Sequence, residues 1–131
     1  MENKMTLDEY QQRAMATCTE SSDNDTYAFF QLAAECGEMM DKVAKARRKN
    51  IITFYADQID PDDNGKSGAG FSNEYVDFLQ GVQKELGDVL WSVAQIATRF
   101  GWSLGDVAQH NLDKLADRAK RGVIVGEGDN R

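Results

Sequence analysis

Proline is almost missing from this chain: Pro61 is the only one in 131 residues. Proline breaks helix interiors, so its scarcity leaves long helices free to form. Histidine is as scarce. A di-iron bundle site needs a Glu-x-x-His pair on each of two helices, but the residue three before His110 is Val107, which excludes that chemistry. The two cysteines, Cys18 and Cys36, give neither a zinc spacing nor a disulfide framework. They read as the reduced thiols of a cytoplasmic protein, with Cys36 as a small buried residue. No apolar run approaches a membrane span, and the polar stretch from Met1 to Tyr10 lacks a signal core. Positive charge is in deficit, with 15 Lys plus Arg against 22 Asp plus Glu and a formal charge of −7. That balance argues against nucleic acid or an anionic membrane as the main partner. A phosphate loop is lacking too. Asn64-Gly65-Lys66-Ser67 contains Gly-Lys-Ser without the upstream glycine and strand that the motif requires.

What is present is helical periodicity. Thr6 and Glu9 form a capping box, followed by Leu7, Tyr10 and Ala14 at helical spacing, and this helix is expected to end near Thr19. A second helix is expected from about Tyr27 to Arg48, with Phe29, Leu32, Ala33, Cys36, Met39, Met40 and Val43 as its apolar face. Lys42, Lys45, Arg47 and Arg48 crowd its C-terminal end, where positive charge suits the helix dipole. A third is expected from Ser72 or Asn73 to Phe100, with Gly101 just past its end. A fourth begins at Ser103 as N-cap and ends at Arg121-Gly122. Between the second and third lie residues 50–72, acidic and then glycine-rich, read as a flexible loop insertion. Ile51 to Tyr55 either extend the helix or pack as an apolar hook. Residues 123–131 read as a short tail. Four helices without convincing strands give an all-α fold, a four-helix bundle in a single domain. Trp91 and Trp102 read as core residues rather than base-stacking platforms.

Two acidic pairs carry the chemistry. Glu35-Cys36-Gly37-Glu38 and Glu85-Leu86-Gly87-Asp88 share one form, with glycine just before the second acid. Residues i and i+3 share a helix face, so each pair points two carboxylates one way. Acidic pairs are common on solvated faces. Two with the same internal glycine, each bordering an apolar stripe, are a stronger signal. If the two helices face each other, four carboxylates converge and repel, and a divalent cation resolves the conflict. All-oxygen ligation suits Mg²⁺ or Mn²⁺. Each glycine costs about 1 kcal/mol in a helix interior, a cost that close approach of a helix or ligand would explain. Gln31 lies one turn before Glu35 and Ser92 one turn after Asp88. Asn111, Lys114 and Arg118, continued by Arg121, share a stripe of the fourth helix and would suit a triphosphate. One carboxylate would serve as general base. Glu38 is the choice, although spacing does not rank the four.

These residues resemble the MazG-like nucleotide pyrophosphohydrolases of the all-α NTP pyrophosphatase superfamily, whose signature is Glu-x-x-Glu, a spacer and Glu-x-x-Asp. Glu35, Glu38, Glu85 and Asp88 fit it position by position. Leu7 to Gln11, Leu32 to Lys45, Lys84 to Trp91, and Asn111 to Lys114 through Arg118 also look like the family. The resemblance implies cleavage of nucleoside triphosphates to monophosphate and pyrophosphate with Mg²⁺ or sometimes Mn²⁺. It implies metal binding by the four acids and triphosphate contact by Lys114 and Arg118, assisted by Asn111. It also implies a homodimer or homotetramer in which neighbouring subunits complete each site, and a house-cleaning role in the nucleotide pool. The long spacer departs from compact members. Two alternatives stand beside this reading: a base-specific dUTP or dCTP pyrophosphatase of the same superfamily, and a non-catalytic oligomeric module that binds nucleotide or partner.

Overall fold

The computed structural model describes residues 2–131, so Met1, the first residue of the polar N-terminal stretch, lies outside it. Among the described residues the fold is all-α with four helices: α1 Leu7–Met15, α2 Asp25–Arg48, α3 Asn73–Arg99 and α4 Leu104–Lys120. The chain divides into two compact units. One holds residues 1–25 and 94–131, the other residues 26–93.

Local chemistry sets most helix ends. The Thr6 hydroxyl accepts from the Glu9 amide at 3.1 Å, and the Glu9 carboxylate accepts from the Thr6 amide at 2.6 Å, closing the expected box. α1 ends at Met15 rather than near Thr19, and a 3₁₀ turn at Glu20–Ser22 follows. α2, α3 and α4 stop in the same way. Asn50, Gly101 and Gly122 take positive φ of 56°, 72° and 71°. The next amides, of Ile51, Trp102 and Val123, reach back to the carbonyls of Ala46, Ala97 and Arg118 at 2.9, 2.8 and 2.9 Å. This reversal satisfies carbonyls that would otherwise be orphaned. It also prevents Ile51 from extending α2.

In the unit of residues 26–93, the expected loop is built as two antiparallel hairpins. β1 Ile52–Tyr55 pairs with β2 Gln58–Pro61, and β3 Lys66–Ser67 pairs with β4 Gly70–Phe71. This corrects the expectation of no strands. The β-branched and aromatic run Ile51 to Tyr55 is the strand signal. The turn signal was missing, because the tip is Ala56-Asp57, both at positive φ (47° and 64°), where Asn-Gly is usual. Ile52 is fully buried and packs with Ala46, Tyr75 and Phe78. The hairpin thereby fastens the end of α2 to the start of α3. Gly65 is fixed by crowding, since a Cβ there would stand 2.0 Å from the Ile51 carbonyl oxygen.

In the other unit, α1 caps α4. The Asp8 carboxylate accepts from the Gly105 amide and the Ser103 hydroxyl, each at 2.8 Å. These bonds, the Gly105 amide first, hold the Asp8 carboxyl below its ordinary value. Gln11 donates to the Thr98 hydroxyl and the Trp102 carbonyl, both at 2.9 Å, and accepts from the Leu104 amide at 2.7 Å. Gln11→Ala would leave the buried Leu104 amide unsatisfied and take the donor from the Trp102 carbonyl. We expect it to lower unfolding stability by about 1–3 kcal/mol, measured by urea denaturation. An unchanged midpoint would show that water replaces these bonds at no cost.

Two burial expectations are corrected. Cys36 is exposed, and so are Phe29, Met40 and Trp102, at 51%, 63% and 55%. The buried residues of α2 are Ala28, Glu35 and Ala46, spaced by about two and three turns and so on one line. The apolar face of α2 is therefore only partly covered: Leu32, Met39 and Val43 are half-buried, while Cys36 and Met40 are exposed.

Candidate metal centre

The buried line of α2 includes an acid. Glu35 is 9% exposed, and Gln31, one turn earlier, donates a hydrogen bond to its Oε1. From α3, Glu85 turns toward α2 with only 12% of its side chain exposed, and its Oε1 pairs with Lys42 Nζ at 3.2 Å. Asp88, one turn on and exposed, joins them. Carboxylate oxygens of Glu35, Glu85 and Asp88 lie within 4.8 Å of one another. Glu38 is exposed at the rim. Its carboxyl is raised above the ordinary value by the negative charge of Glu35 foremost, then by Glu85, by burial, by a hydrogen bond with Glu85, and by Asp88.

The donor set fits a hard divalent cation. Glu35 Oε2 and Glu85 Oε2 are buried without a hydrogen-bond partner. A buried carboxylate oxygen with neither donor nor cation is costly. Two of them among like charges, with Lys42 as the ion-pair partner of Glu85, are what an ion taking oxygen ligands would satisfy. Ser92 Oγ, on α3 one turn past Asp88, is likewise buried and unpartnered.

Carboxylates from both acidic pairs therefore meet within one unit, three of them in the close group and Glu38 at its rim. The reading of the glycines as close-approach points does not hold within the chain. A Cβ on Gly37 or Gly87 would meet no atom within 4 Å. Each lies two residues past the inward-turned glutamate, about 200° around the helix. Beside this cluster it is Gly81 that meets a neighbour: a Cβ there would lie 3.1 Å from Lys42 Cδ. Sequence reasoning missed Lys42 as a site residue. The available signal was its place one turn after Glu38, opposite a glycine one turn before Glu85.

Asn111, Lys114 and Arg118 belong to α4 in the other unit. Asn111 and Lys114 are exposed and Arg118 is 5% exposed. His110 is an exposed residue of the same helix. Among the described residues, no helix is long and apolar enough to cross a membrane.

Comparison with known proteins agrees with the acidic geometry. The family model of the MazG nucleotide pyrophosphohydrolase domain matches residues 27–123, a span that holds both acidic pairs and the α4 stripe. Gene 37 protein of Mycobacterium phage L5 is 38% identical over 114 residues, covering 86% of this chain and 81% of that protein. No solved structure matches the chain significantly. A match across both motifs, with three of the four signature acids gathered in space, leads to one assignment: the chain belongs to the MazG nucleotide pyrophosphohydrolase domain family.

Proposed function

We propose that this protein hydrolyses nucleoside triphosphates between the α and β phosphates, releasing a monophosphate and pyrophosphate. The observation that carries the reading is the carboxylate cluster with two orphaned buried oxygens, inside the span that the family model matches. Glu35, Glu85 and Asp88, with Glu38, would hold Mg²⁺ or Mn²⁺. Such an ion, when bound, neutralises phosphate oxygens and acidifies water.

The chain's own residues do the rest. Glu38 accepts the proton of the attacking water, since its exposed carboxyl is within reach of solvent. Gln31 holds Glu35 in orientation through its hydrogen bond. Lys42 limits the repulsion at Glu85 through their ion pair. Lys114 and Arg118 bind the triphosphate, assisted by Asn111, and stabilise charge on the departing pyrophosphate. We place the activity in the cytoplasm, in keeping with two free cysteines. We propose a homodimer or homotetramer. In support, the large apolar side chains of Phe30, Met40 and Leu86 are 73%, 63% and 56% exposed, and burying such side chains against a second copy is favourable.

The test is product analysis on a panel of NTPs and dNTPs with Mg²⁺. Monophosphate plus pyrophosphate, lost with EDTA, is the expected result, and the ranking of bases would separate a broad house-cleaning enzyme from a dUTP or dCTP specialist. Diphosphate plus phosphate would mean cleavage of the wrong bond and would refute the reading.

A further inference from the structure

The cationic stripe of α4 already has an anionic neighbour. After Gly122 the chain reverses, and residues 123–131 fold back along the helix they have just left. Arg118 Nη2 donates to the Asp129 carbonyl at 3.0 Å and stands 3.5 Å from Asp129 Oδ1. Lys114 Nζ lies 3.7 Å from the same Oδ1. Arg121 Nη2 donates to the Arg131 carbonyl at 2.7 Å. Tail oxygens therefore engage all three cations of the stripe. Gly128, with φ of 76°, lets the tail curl.

We propose that segment 123–131 is an internal occupant of the Lys114–Arg118–Arg121 stripe, which a phosphate ligand must displace. The proposal rests on the phosphate-binding role given above to Lys114 and Arg118. Magnitudes favour exchange over permanent closure. The Asp129 side chain is 89% exposed, and ion pairs that solvent reaches are weak. A polyphosphate brings several charges against one carboxylate and takes bidentate bonds from arginine. The tail thus lowers apparent affinity by the fraction of time it sits on the stripe without abolishing binding. It would make the enzyme less responsive to low concentrations of anions.

The test is calorimetric titration of the full chain with inorganic tripolyphosphate, backed by NMR of the tail amides. Asp129→Asn is expected to bind roughly fivefold tighter than wild type. Adding Lys114→Ala should remove that gain. In wild type, the Gly126, Gly128 and Asp129 amide resonances should shift as the ligand saturates. If Lys114→Ala weakens binding, Asp129→Asn binds as wild type and the tail resonances stay put, the stripe binds phosphate but the tail does not compete, and the proposal fails alone. If Lys114→Ala leaves binding unchanged, the phosphate role of the stripe fails, and the tail proposal falls with it.

Discussion

Glu38→Gln is expected to abolish pyrophosphohydrolase turnover while leaving the helical fold intact. Loss of a positioned general base typically costs roughly 10²–10⁴-fold, and loss of a cation ligand adds to that. The same substitution should stabilise the metal-free protein. In that state Glu38 sits in the field of Glu35, Glu85 and Asp88, which raises its carboxyl above the ordinary value. A carboxyl raised by folding holds its proton more tightly in the folded state, so stability is undiminished below the ordinary carboxylate range. It is lost as pH rises through the folded value. Glutamine has no such charge. The melting temperature of the metal-free variant should therefore match wild type at low pH and exceed it at neutral pH. The paired readouts separate a functional acid from a structural one. A variant that keeps full activity, or one that loses activity by unfolding, would each contradict the assignment.

Saturating Mn²⁺ or Mg²⁺ should raise the melting temperature of the wild-type protein, and Glu35→Gln should remove most of that rise. An ion that binds only the folded state stabilises it by about 2.7 kcal/mol at a hundredfold excess over its dissociation constant. For a chain of this size that corresponds to a shift on the order of 10 °C. Glu35 is the decisive position because it combines burial with an unpartnered oxygen. Its loss removes a ligand held in place by Gln31. Lys42 gives a second arm to the experiment. Lys42→Met removes the ion pair with Glu85 but no ligand, so the metal-induced rise should persist or grow. Melting curves that superimpose with EDTA, Mn²⁺ and Mg²⁺ would remove the cation from this account.

The sequence by itself determined what is encoded over one or two turns. The C-terminal ends of α3 and α4 were legible because caps, left-handed residues and apolar periodicity act between neighbours in the chain, whereas Ile51 to Tyr55 left the end of α2 open. The acidic pairs were legible because an i,i+3 spacing fixes a shared face whatever the helix packs against. Tertiary structure alone decided which acids turn inward. Glu35 lies on the buried line of α2 while Glu38 stays at the rim, and that line depends on what α3 and the β1–β2 hairpin cover. It decided that Lys42 answers Glu85 and needs the space left by Gly81, a pairing across two helices that local spacing does not encode. The β1–β2 hairpin was missed because its tip, Ala56-Asp57, lacks the residues that advertise such a turn, and burial of Ile52 outweighs that poor local preference. Exposure of Cys36 and Trp102 was misjudged for a related reason. Periodicity shows that a face is apolar, but only the surfaces actually brought against it determine whether that face is covered.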